Sequence, residues 1–203
     1  GLGAHFSNAE MESIAETAHS LGLKVMAHAH GARGIESAAA AGIDSIEHGT
    51  FADEAALKVM KAKGTYMVPT LMAFEGIRER LGKGIYTPTV EAKVRMTLND
   101  VGKAMARAKA LGVPIAFGTD AGVFEHGRNA HEFALLVEHG LTPREALASA
   151  TTVAARLLSM ENEIGRLAPG MSADMIAVSG DPLSDVTTLE KVNWVMTRGR
   201  IAG

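Results

Sequence analysis

Three short apolar runs begin between residues 23 and 69, the first two each followed by a helix-forming stretch, and this recurrence constrains the fold more than any other feature of the chain. Leu23-Lys24-Val25-Met26-Ala27-His28 reads as a buried strand, and Gly31 to Gly34 opens an Ala-rich helix that stops at Gly42. Ile43-Asp44-Ser45-Ile46-Glu47-His48 repeats the pattern with a helix over 53 to 63 closed by Gly64, and Thr65 to Pro69 begins it again. Strands that start roughly every 21 residues, with a helix between each pair, need right-handed crossovers and a parallel sheet. The fold class is therefore α/β, either a barrel or a doubly wound sheet.

Upstream, Ser7 and Glu10 fit a capping box, and apolar residues at helical spacing predict a helix over 8 to 21. After Pro69 the rhythm lengthens. A loop is expected near Gly82 to Pro88, one long helix over 89 to 111, and a strand over 113 to 118. Helices are expected over 132 to 139 and 143 to 158, the second with Thr142 as N-cap and Pro143 in its first turn. From Gly165 the pattern changes to β segments at 165–170, 173–178 and 192–200, so a boundary is placed near 164: barrel over 1–164, β appendage over 165–203. Gly1-Leu2-Gly3 reads like the middle of a loop, and further residues are expected upstream of it.

A formal charge of -3 and a pI near 6.3 provide no clustered cations for a phosphate backbone, so nucleic acid is not an expected partner. No run of eighteen apolar residues occurs, and no membrane association is expected. Without cysteine, any metal must be held by imidazole nitrogens and carboxylate oxygens, while the compartment stays open between cytoplasm and periplasm.

Three of the four strands legible before the appendage end on a residue able to bind metal: His28, His48 and, just past Phe117-Gly118-Thr119, Asp120. In a parallel sheet all C-terminal strand ends lie on one side, where active sites are built, so residues far apart in sequence meet there. Neutral imidazoles with one carboxylate suit zinc, and also manganese, cobalt or iron. A lone histidine at a strand end is more often a hydrogen-bonded structural group; three ligand-type residues at equivalent ends point instead to a shared site.

Ala27-His28-Ala29-His30-Gly31, Ser45-Ile46-Glu47-His48-Gly49, Val68-Pro69-Thr70-Leu71 and Phe117-Gly118-Thr119-Asp120-Ala121-Gly122 resemble the later barrel strands of the amidohydrolase superfamily, in its prolidase-like and imidazolonepropionase-related branch. His126-Gly127, Glu132-Phe133, Ala173-Asp174-Met175-Ile176 and Gly180-Asp181-Pro182-Leu183 resemble the same branch. The resemblance implies the C-terminal half of a distorted (β/α)8 barrel, followed by a small β-sandwich segment, with one or two divalent metals, most often zinc, in the complete enzyme. His28 and His48 match the ligands of the fifth and sixth strands, and Asp120 matches the eighth-strand residue that binds metal and moves the proton of the attacking water. The family's first-strand His-x-His pair and its carboxylated lysine are not in this sequence, and both would precede Gly1.

His30, His126 and Arg128 are assigned to substrate. His30 is expected to turn away from His28 across the pleat. The activity implied is hydrolysis of dipeptides or N-acyl amino acids in the manner of an Xaa-Pro dipeptidase. The alternatives are a cyclic-amide hydrolase of the imidazolonepropionase kind and a non-catalytic half-barrel. The expected partners are a small-molecule or peptide substrate, with either a second copy of the chain or the missing N-terminal half.

Overall fold

In the computed structural model, which describes residues 3–202, strands β1 (Met26–Gly31), β2 (Ser45–Phe51) and β3 (Tyr66–Val68) form a parallel sheet in the order of the chain. His28 stands beside Glu47 in the register of β1 and β2, and Ile46 stands beside Met67 in that of β2 and β3. The helices between the strands are α2 (Ala32–Ala40) and α3 (Glu54–Lys63), and α1 (Asn8–Ser20) precedes β1. The capping box of Ser7 and Glu10 is formed.

One face of this sheet packs against the helices, and the other is open along β1. Met11 and Ala15 of α1, Ile35 and Ala39 of α2, and Leu57 and Met60 of α3 share a buried core with Ile46 and Met67. Ala27 and Ala29 pack against that core, whereas Met26 on the opposite face of β1 is 68% exposed. Sequential strands that are also spatial neighbours, with α1, α2 and α3 on one side, are consistent with part of a barrel wall; a doubly wound sheet would carry helices on both faces.

The segment after β3 departs from expectation. A helix not anticipated there, α4 (Leu71–Arg80), follows β3 directly, with buried Leu71, Met72, Ala73 and Phe74. The single helix expected over 89 to 111 is two, α5 (Pro88–Leu98) and α6 (Lys103–Leu111), because Gly102 adopts φ 77° and a side chain there would meet the ring of His139. The strand expected over 113–118 reduces to one parallel bridge between Met67 and Ile115. Pro114 has no N–H to give, yet its carbonyl accepts from Met67 (2.9 Å), and Ala116 donates to the Met67 carbonyl (2.9 Å). Gly118 then lets this segment lie against Val68, whose side chain a Cβ would strike.

Helix α7 (His131–Glu138) is followed by α8 (Pro143–Ala148), a π-helical turn over Ser149–Val153 and α9 (Ala154–Leu157). The capping box of Thr142 and Glu145 is formed, with Pro143 in the first turn. The tail folds as one antiparallel sheet of β4 (Met175–Val178), β5 (Val192–Thr197) and β6 (Arg200–Ile201). Residues 165–170, expected to be β, are turns and bends, because Gly165 and Gly170 both have positive φ and break any ladder.

Candidate metal centre

His28 and His30 lie two residues apart on β1, and residues i and i+2 of a strand share a face. The expected divergence of His30 is therefore corrected: His28, His30 and His48 converge, with one ring nitrogen from each within 4.8 Å of the others. His48 Nε2 lies 2.8 Å from His28 Nδ1, and the rings of His30 and His48 stack at 4.9 Å. Phe74 of α4 closes the side of the cluster with its ring 6.2 Å from both His30 and His48.

Backbone conformation delivers these groups. His48 (φ 71°), Thr70 (φ 49°) and Asp120 (φ 54°) are left-handed although none is glycine; Thr70 follows β3 and Asp120 follows the strand-like segment, whereas His48, expected at a strand end, lies within β2, which runs on to Phe51. Such strain collects where a fold must aim a side chain. Thr70 fixes the orientation of His48. Its hydroxyl donates to the Pro69 carbonyl (2.8 Å), so its oxygen is left to accept from His48 Nδ1 (2.6 Å). The hydrogen on Nδ1 leaves the lone pair of His48 on Nε2, the atom that faces His28. His30 Nδ1 is hydrogen-bonded to the Thr50 hydroxyl (2.9 Å).

Burial keeps His30 and His48 neutral. Desolvation, and then the neighbouring imidazoles, lower both His30 and His48 from 6.5 to about 4. Because the folded state resists protonation, the stability due to these groups is present above the ordinary imidazole pKa and is lost as pH falls from 6.5 toward about 4. In the metal-free protein, proton NMR titration should find the His30 and His48 ring signals unmoved between pH 7.5 and 5.5, where exposed imidazoles titrate. Movement of both with a midpoint near 6.5 would contradict the burial argument.

The donor set fits a divalent cation. Imidazole–zinc bonds of about 2.0–2.1 Å allow two ligand nitrogens to stand up to about 4 Å apart, so three nitrogens within 4.8 Å of one another need only small adjustments to share a cation. Asp120 is exposed and is not one of that group of three. It lies within electrostatic reach of the sheet, since Glu47 is raised above the usual carboxylate range by burial first and by the charge of Asp120 in addition. Ser45 opposes this by donating to Glu47 Oε1 (2.7 Å).

The other two residues assigned to substrate stand apart from the cluster's hydrogen bonds. The Arg128 guanidinium is held by Glu79 (2.6 and 3.0 Å) and by Glu125 (3.1 Å), which ties the loop after Asp120 to α4. His126 is exposed on the same loop. One residue escaped the functional reading of the sequence: Glu132 of α7, fully buried, accepts from the Leu71 and Met72 amides (2.9 and 2.6 Å) at the start of α4. Its helical spacing to Leu135 and Leu136 was the available signal, because it places a carboxylate on the buried face of the helix.

A model of the amidohydrolase family matches residues 3–202. Ochratoxinase of Aspergillus niger is 35% identical over 190 residues, covering 93% of this chain and 39% of that protein. Imidazolonepropionase of Ruegeria sp. is 35% identical over 182 residues, covering 85% of this chain and 39% of its own length. Among solved structures, an Xaa-Pro dipeptidase with methionine bound in its active site superposes with a TM-score of 0.93 at 39% identity, over 97% of this chain and 49% of that one. The chain thus spans about half the length, or less, of the relatives it matches.

Proposed function

The chain belongs to the amidohydrolase family, and from that premise we propose that its protein is a metal-dependent hydrolase of amide bonds, acting on dipeptides or N-acyl amino acids of the Xaa-Pro kind. The observation that carries this reading is the orientation of the histidines: Thr70 holds His48 so that the Nε2 lone pair faces His28. His28 and His48, with Asp120, would hold the cation, and His30 and the loop bearing His126 and Arg128 face the substrate.

A bound divalent cation, zinc before others, supplies Lewis acidity toward the scissile carbonyl and acidifies water. Asp120 takes the proton of the attacking water and returns it to the leaving amine. The dipeptidase preference draws support from the solved Xaa-Pro dipeptidase at 39% identity. The second reading, a cyclic-amide hydrolase, draws support from the imidazolonepropionase relative at 35% identity.

The remainder of the barrel is part of the proposal. β1 is an edge of its sheet among the described residues, and a cavity of about 390 Å³ lined by Phe6, Ile14, Met26, Ala27 and Ala38 runs along it. An unpaired edge beside an apolar groove suits another strand and helix of the same protein.

The experiment uses the longest natural chain that contains these 203 residues. Hydrolysis of Xaa-Pro dipeptides should exceed that of an imidazolone or hydantoin, vanish on chelation and return with zinc. Preference for the cyclic amide selects the second reading, and full activity in chelator, or none with any amide after reconstitution, overturns the metal-dependent assignment.

A further inference from the structure

Glu132 sits far from the histidine cluster in sequence and outside its hydrogen bonds, yet it is fully buried and both its oxygens are used: Oε1 accepts from Leu71 N (2.9 Å) and Oε2 from Met72 N (2.6 Å). Those amides are the first two of α4, and an α-helix cannot satisfy its own first amides. The residue in front of them is Thr70, the N-cap, whose own side chain gives no cap hydrogen bond to the helix. An N-cap threonine ordinarily turns its hydroxyl toward the helix amides. Here that hydroxyl is spent on Pro69 and His48 instead, and the backbone of Thr70 is left-handed (φ 49°, ψ 47°), a costly state for a β-branched residue.

We infer that Glu132 is a positioning residue for the metal centre: by capping α4 from α7 it releases the Thr70 hydroxyl to hold His48. The inference rests on the metal-site reading above. The chain of contacts is short and continuous. Glu132 anchors the first turn of α4, that turn holds Thr70 in its strained conformation, and Thr70 fixes the hydrogen on His48 Nδ1 so that Nε2 faces His28. Without the carboxylate, the hydroxyl of Thr70, the N-cap residue, becomes the ordinary capping group for the open amides. Turning toward them, it leaves His48 without the partner that sets its tautomer. Groups that orient a metal-binding histidine in this manner typically contribute about 10- to 100-fold in metal affinity.

The test measures cobalt(II) affinity from the visible absorption of the reconstituted full-length protein, in wild type, Glu132→Gln, Thr70→Val and the double variant. Gln keeps the shape but offers one acceptor where two are needed. Glu132→Gln should weaken cobalt binding about 10- to 100-fold, and Thr70→Val by a similar factor. The double variant should bind no more weakly than Thr70→Val alone, because both act through one hydroxyl. Thr70→Ser, which keeps the hydroxyl, should restore most of the affinity. A merely structural Glu132 would lower the melting temperature and leave cobalt affinity within twofold of wild type, or would add its full effect in the double variant; either result overturns the inference.

Should Glu132→Gln not fold, nitrogen NMR of the wild-type ring decides: His48 protonated on Nδ1 supports the relay, and protonation on Nε2 ends it. Wild-type protein that takes up no cobalt refutes the metal-site reading itself, which is a separate outcome from unequal or equal binding among the variants.

Discussion

Replacing Asp120 with Asn is expected to lower kcat for the best dipeptide at least 10²- to 10⁴-fold in the complete enzyme, the range contributed by a positioned general base. The substitution is well isolated from the fold. Asp120 is exposed and left-handed (φ 54°), and Asn occupies that backbone region as readily as Asp, so no strain is added. One oxygen able to contact a cation remains, while the group that accepts the proton is gone. Metal content should therefore fall far less than turnover. Loss of kcat with little change in KM is the sign of a group acting in the transition state. Steady-state kinetics with parallel elemental analysis checks this, and near wild-type kcat would remove Asp120 from the chemistry.

His48→Asn should do the opposite, abolishing zinc retention and activity together. Asn again tolerates the left-handed backbone, here at φ 71°, but its short side chain cannot replace an imidazole nitrogen aimed at His28 from across the strand end. The variant also strands the Thr70 hydroxyl that now pairs with the ring. Retained zinc after dialysis, measured by elemental analysis against the Asp120→Asn protein, would show that the cation is held elsewhere. The contrast between the two variants separates holding the cation from moving the proton.

The strand-helix recurrence and the glycine stops made the parallel sheet legible, because strand ends and helix ends are local events written in a few residues. His28 and His48 were legible because each belongs to its own strand motif, although the strands run on to Gly31 and Phe51. His30 was misplaced by an error about the pleat rather than by any lack of signal, since a two-residue spacing puts it on the face of His28. The division into α5 and α6 was hidden because Gly102 breaks the helix against His139, a contact between distant segments. Glu132 was illegible as a capping group for a similar reason, its partners lying 60 and 61 residues away. The helix of residues 71–80 was not legible because its second half, from Glu75 to Arg80, is mostly charged, whereas its first turn is buried.

Zinc-edge X-ray absorption of the full-length protein tests the central claim most directly, because it counts imidazole ligands without relying on activity. A centre built on His28 and His48 predicts at least two imidazole nitrogens at about 2.0–2.1 Å from zinc, and one fewer, or no bound zinc, in His48→Asn. A spectrum without imidazole scattering, or one that His48→Asn leaves unchanged, would contradict it.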